Sequence, residues 1–205
     1  MRSNGFRRCR VFFRRSVLQL PERFVYTTDD TLTLLDELLA DRGGQWWNGF
    51  FRDRDKPCPF FVDWPDENLV QWFDEGRLSP GRVLELGTGQ GRNATFLAGR
   101  GCQVEAIDFS AEAIGWATER AQQAGVEVRF QHSDIFTADI AEGAYDLVYD
   151  SGCFHHLAPH RRRSYLELVQ RALAPGGRFG WCVSDRRSRR PATSRCTSSA
   201  RSGVG

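Results

Sequence analysis

Nowhere among the 205 residues does an apolar run approach the ~20 residues that a helix needs to cross a bilayer. None of the six cysteines (Cys9, Cys58, Cys102, Cys153, Cys182 and Cys196) belongs to a C-x-x-C pair or has a histidine partner at metal-ligand spacing. A membrane span, a disulfide framework and a metal site therefore lose their basis, and reduced thiols in a cytoplasmic protein are the expectation. Acid is missing from both ends: residues 1–15 hold six arginines and no Asp or Glu, and residues 186–205 hold six more, again without acid. Setting those twelve aside leaves 16 of the 28 Lys+Arg against all 26 Asp+Glu, so residues 16–185 carry about −10. That balance disfavours a nucleic-acid groove, which calls for a basic stripe.

What is present suffices for one core, with 40% of residues hydrophobic, and a monomer is expected. Residues 1–24 read as a basic disordered leader, with a transit peptide as the alternative on composition. Residues 25–78 read as a helical and aromatic region, residues 79–185 as an α/β core, and residues 186–205 as a disordered Arg/Ser-rich tail.

The core turns on Val83-Leu84-Glu85-Leu86-Gly87-Thr88-Gly89-Gln90-Gly91, a short apolar run that breaks into glycines at alternate positions. The run predicts a buried parallel strand, and the following Arg92 to Ala98 a helix. Strand, glycine turn and helix place a ligand at a helix N-terminus, with backbone passing too close to it for side chains. A dinucleotide fingerprint is weakened, because Arg92 stands where the last glycine of Gly-x-Gly-x-x-Gly belongs.

A regular alternation follows. Gln103–Asp108 predicts a second strand, with Ser110 capping a helix that runs to about Ala124. Asp108, 17 residues after Gly91, is placed to accept a ligand's ribose hydroxyls. Val126–Phe130 predicts a third strand leading to Asp134 and Ile135, and Tyr145–Asp150 a fourth, whose loop carries Cys153, His155 and His156. Pro159–Ala174 predicts a helix, and Phe179–Val183 a fifth strand after the turn at Pro175-Gly176-Gly177. Upstream, Asp29–Ala40 predicts an amphipathic helix and Asp66–Phe73 another. Between them Trp46, Trp47, Phe50, Phe51, Phe60, Phe61 and Trp64 crowd together, either packing on the core or closing over a ligand.

The series Glu85-x-Gly87-x-Gly89-x-Gly91, Asp108, Asp134, Asp150 and Pro175-Gly176-Gly177 resembles the class I S-adenosylmethionine-dependent methyltransferases, close to their small-molecule thiopurine and tellurite branches, across residues 83–184. The resemblance implies a doubly wound, mostly parallel Rossmann-like sheet lacking its C-terminal strands, as though the chain were truncated or frame-shifted after about residue 185. It implies S-adenosyl-L-methionine held by Glu85, Gly87, Thr88, Gly89, Gly91, Asp108, Phe109, Asp134 and Ile135, under a lid carrying Trp46 and Trp47. It implies methylation of a small-molecule acceptor, with Asp150, His155 and His156 as candidate bases. The alternative from another class is a fragment that binds the donor without turning it over.

Overall fold

The computed structural model describes residues 27–39 and 43–182, so the expected leader and tail lie outside the described residues. Five parallel strands form one sheet in the order β3-β2-β1-β4-β5: β1 (Arg82–Leu86), β2 (Gln103–Asp108), β3 (Arg129–His132), β4 (Tyr145–Asp150) and β5 (Leu173–Trp181). The chain leaves β1 for β2 and β3 on one side and returns to β4 and β5 on the other. The order therefore reverses beside β1, where a doubly wound sheet opens a crevice at its carboxyl ends.

Helices cover both faces, which is why the strands are apolar without polar alternation. Leu84, Leu86, Ile107, Val148, Tyr165, Leu168 and Val169 fill one layer, beneath α7 (Arg162–Ala172). Val83, Val104, Ala106, Leu147, Tyr149, Leu69 and Leu97 fill the other, beneath α3 (Glu67–Asp74) and α4 (Arg92–Gly99). Successive residues of β1 thus enter opposite layers, as a period of two requires.

Two of the expected strands sit elsewhere. β3 begins at Arg129 rather than Val126, because the Val126 amide is spent on the Ala121 carbonyl, closing helix α5 (Ala111–Ala124) behind Gly125 at φ +66°. β5 begins earlier, at Leu173. It pairs with Tyr145 there, breaks register, and resumes with Arg178 opposite Leu147. The Pro175-Gly176-Gly177 segment is that break, and a Cβ on Gly177 would lie 2.7 Å from the Tyr145 carbonyl oxygen. The single helix expected over Pro159–Ala174 is a 3-10 turn, Pro159–Arg161, followed by α7.

Helix α1 (Thr28–Leu39) has no buried residue, so its leucine stripe is not core. It docks by charge instead. Asp36 receives His160 Nε2 at 2.7 Å and the Arg161 guanidinium, and these partners hold its carboxyl below the usual range against the opposing effect of burial.

Candidate functional site

The turn after β1 is built from inside the protein as much as for a ligand. The Gly87 and Thr88 amides both donate to the Ile107 carbonyl, at 2.9 and 3.0 Å, which binds the turn to the end of β2. Gly87, Gly89 and Gly91 all have positive φ, at 68°, 55° and 75°, where a side chain is strained. Their surroundings differ. A Cβ at Gly91 would strike Ala117 of α5 at 2.6 Å, and one at Gly87 would strike the Cys153 Cβ at 2.7 Å. At Gly89 it would meet only the Phe51 ring, at an ordinary 3.5 Å. Helix packing and the β4 loop therefore account for two of the glycines, whereas at Gly89 only the Phe51 ring is near.

Glu85 does not reach into the crevice. It is 1% exposed, and its Oε2 accepts the Thr88 hydroxyl at 2.6 Å. Burial pushes its carboxyl up to about 7, with Thr88, Asn93 and Arg92 pulling the other way. The acid that opens the motif thus braces the turn from beneath.

Asp108 ends β2 beside the turn. Its Oδ2 accepts the Gly89 amide at 2.8 Å and its Oδ1 the Ser110 amide at 2.9 Å, and burial raises its pKa. A carboxylate has about four lone-pair sites, so this one keeps acceptor capacity for hydroxyls. Asp134, past the end of β3, accepts the Phe136 amide at 2.9 Å. Ile135 is 7% exposed and packs in the layer with Leu86 and Ile107. Phe109 is 43% exposed and lies against the start of helix α2 (Gly44–Arg52), near Gly44.

The aromatic segment crosses above this crevice. Phe51 is buried against Gly89, and Trp47 meets the His156 ring edge-on at a centroid distance of 4.8 Å. Trp46 stacks on Phe50 at 5.4 Å. Polar ties that single-residue motifs do not reveal fix the segment in place. Gln90 Nε2 donates to the Phe60 and Val62 carbonyls at 2.8 and 2.7 Å, Asn93 Oδ1 accepts the Asp66 amide at 2.9 Å, and the Ser110 hydroxyl meets Asn48 Oδ1 at 2.9 Å. The signal that could have found them is a long polar side chain inside or just after the glycine motif, at Gln90 and Asn93, where burial demands a partner.

The β4 loop holds the expected bases apart. Asp150 is fully buried. Its Oδ1 accepts the Gly152 and Cys153 amides at 2.7 and 2.8 Å, and its Oδ2 accepts the Phe154 amide at 3.0 Å and the Tyr165 hydroxyl. Four donors occupy the lone-pair sites of this carboxylate and fold the loop into helix α6 (Cys153–His156). His155 and His156 are exposed on that helix, His155 toward Trp181 at 6.0 Å and His156 toward Trp47. Burial drives the Cys153 thiol well above its ordinary pKa, so it stays protonated.

Residues 83–177 match the methyltransferase domain family. A demethylmenaquinone methyltransferase from Thermus thermophilus is 35% identical over 103 residues, 49% of this chain and 46% of that protein. A 2-heptyl-1-hydroxyquinolin-4(1H)-one methyltransferase from Mycobacteroides abscessus is 29% identical over 129 residues, 62% of this chain and 56% of that one. The chain thus spans about half the length of these relatives. Among solved structures, the S-adenosylmethionine-dependent methyltransferase of Geobacter sulfurreducens, in complex with S-adenosyl-L-homocysteine, superposes with a TM-score of 0.50 at 27% identity, over 64% of this chain and 53% of that one. With the parallel sheet, its reversal beside β1 and the glycine turn already in place, these likenesses identify residues 83–177 as a methyltransferase domain of the class I S-adenosylmethionine-dependent family.

Proposed function

We propose that this chain binds S-adenosyl-L-methionine at the carboxyl ends of β1 and β2 and methylates a small-molecule acceptor beneath the α2 aromatic segment. The observation that carries the reading is the pairing of an open Gly89 with the Asp108 carboxylate, whose oxygens each accept one amide and keep further acceptor capacity. Asp108 would take the ribose hydroxyls and the glycine turn would pass beneath the donor, with Phe109, Asp134 and Ile135 on the adenine side. The donor supplies a methyl group on a sulfonium, transferred by in-line displacement.

The protein's share is then to position and to exclude water. Phe51 and Trp47 close the crevice from above. For a hydroxyl acceptor a group must take the proton, and His156 is the better placed of the candidates, since it is exposed on α6 against Trp47 while Asp150 is saturated. The acidic balance of residues 16–185 supports a small-molecule acceptor, and two relatives are named for a hydroxyquinolone and for demethylmenaquinone. Among the described residues no helix is long and apolar enough to cross a membrane.

Calorimetric titration with S-adenosylmethionine and S-adenosylhomocysteine, followed by turnover on a panel of phenols, hydroxyquinolones and thiols, tests the reading. Micromolar binding with methylation of a panel member is expected. Binding without any turnover would instead favour a donor-binding, inactive chain.

A further inference from the structure

We infer that Asp36 of α1 is a positioning residue for donor binding: it holds the Arg161 guanidinium away from Asp134 and so keeps that carboxylate available to the 6-amino group of adenine. The inference rests on the donor site proposed above, in which Asp134 lies on the adenine side. It starts from a mismatch in the docking of α1. The helix buries no residue of its own, yet the two side chains that hold it, His160 and Arg161, are only 11% and 12% exposed. Asp36 serves both. Its Oδ1 lies 2.7 Å from His160 Nε2, and its Oδ2 accepts Arg161 Nε at 2.8 Å. Asp29, also on α1, adds a looser pair to Arg161 at 3.8 Å.

Arg161 is where this docking meets the site. Its guanidinium lies over the Phe136 ring, 5.0 Å from the centroid, and the Phe136 amide is the donor that Asp134 Oδ1 accepts at 2.9 Å. One cation thus borders both the carboxylates of α1 and the loop that carries Asp134, whose charge also acts on it. A guanidinium withdrawn from water is costly to leave without an anionic partner. When Asp36 is lost, Asp134 is the carboxylate outside α1 that can replace it. A planar fork on Asp134 would fill the acceptor sites that remain beyond the Phe136 amide. Adenine offers only a neutral amino group to the same oxygens, and a charge-assisted pair outcompetes it. Arg161 therefore has two alternative partners, and α1 decides between them: with the helix docked Asp134 is open to the donor, and with it released Asp134 is taken.

Two probes read the state of Asp134 and separate this role from a merely structural one. S-adenosylhomocysteine carries the 6-amino group, whereas S-inosylhomocysteine has in its place a carbonyl oxygen, which a carboxylate repels. Calorimetric titration of the full chain should show wild type preferring S-adenosylhomocysteine by about 10-fold to 100-fold, the range for one charge-assisted hydrogen bond. In Asp36→Ala that preference should collapse to within about 3-fold, while the melting temperature stays close to wild type because α1 buries no residue. Adding Arg161→Met to Asp36→Ala removes the competing cation and should restore the preference. Asp36→Glu, which keeps the carboxylate, should retain most of it. A preference unchanged in Asp36→Ala overturns the inference. So does a preference lost there and not restored by Arg161→Met, since loosening of the loop would then explain the loss. If wild type binds neither probe, the donor site itself is wrong and the inference falls with it. If wild type binds both equally, Asp134 does not meet the amino group, and the inference falls while the donor site stands.

Discussion

The Gly89 amide donates to the Asp108 carboxylate at 2.8 Å, joining the turn after β1 to the end of β2 through the two residues expected to flank the donor. One side chain thus shapes the turn and keeps acceptor capacity beyond the two amides. Replacing Asp108 with Ala should accordingly do two things at once. Two amides, the part-buried one of Gly89 and the buried one of Ser110, lose their acceptor, and donor affinity drops by roughly 1–3 kcal/mol. Titration with S-adenosylhomocysteine alongside thermal melting reads both, and unchanged affinity would remove Asp108 from the donor site.

Gly89 and Gly87 of the turn should fail in different ways. Gly89→Ala must carry a side chain at φ +55°, costing about 1–2 kcal/mol, yet its Cβ meets only the Phe51 ring at 3.5 Å. The protein should fold while its donor affinity falls. Gly87→Ala adds a 2.7 Å collision with the Cys153 Cβ to the same strain, so its melting temperature should fall further. Melting curves for the pair would decide the point, and equal losses would show that the β4 loop yields readily.

Much of this was legible in the sequence, and what was not has a physical cause. The apolar runs around Val83, Val104 and Leu147 announce strands buried on two faces, and Ser110 and Gly125 cap α5 where local chemistry says they should. The turn's glycines were equally visible, but not that Gly91 answers to Ala117 and Gly87 to Cys153, because those contacts arise only when α5 and the β4 loop pack home. Asp150 looked like any acid at a strand end. Its four donors come from the loop's own amides and from Tyr165, fifteen residues on in α7. The docking of α1 was hidden for the same reason, since Asp36 and His160 lie 124 residues apart.

Glu85 gives the stability a pH dependence of definite sign. In the folded protein its carboxyl keeps the proton up to about 7, against ~4.3 for an unfolded glutamate. The native state therefore binds that proton more tightly, and stability falls as pH rises from ~4 through about 7. Glu85→Gln removes the titration. Its melting temperature should exceed wild type at pH ~8 and converge with it only below pH ~4, while Asp108, raised in the same direction in both proteins, cancels from the comparison. Parallel curves across that range would mean the carboxylate is stabilised in ionised form by its neighbours.

The aromatic segment offers a split between packing and closure. Phe51 is 6% exposed, so Phe51→Ala should cost about 3–5 kcal/mol of stability, as deletion of a buried ring does. Trp47 is only half-buried and its partner His156 is exposed. Trp47→Ala should leave the apo melting temperature nearly unchanged and raise the donor's Kd. A large loss of stability with the Kd unaltered would make Trp47 part of the core and deprive the crevice of its cover.

Acceptor chemistry separates the candidate bases. A phenol must lose a proton as the methyl arrives, whereas a thiol already ionised in solution needs no base. If His156 takes that proton, His156→Ala should lower kcat on phenols by about 100-fold or more and leave an ionised thiol acceptor nearly unaffected. His155, turned toward Trp181, should be dispensable for both. Asp150→Asn should behave otherwise. Its amide would confront at least one of the Gly152, Cys153 and Phe154 N–H groups that the carboxylate now satisfies, so the loop should loosen and stability should fall by roughly 1–3 kcal/mol. Activity should then drop for phenol and thiol alike, because the loop that carries His156 is displaced whatever the acceptor. A thiol reaction spared in Asp150→Asn but a phenol reaction lost would return the base to Asp150, despite its four donors.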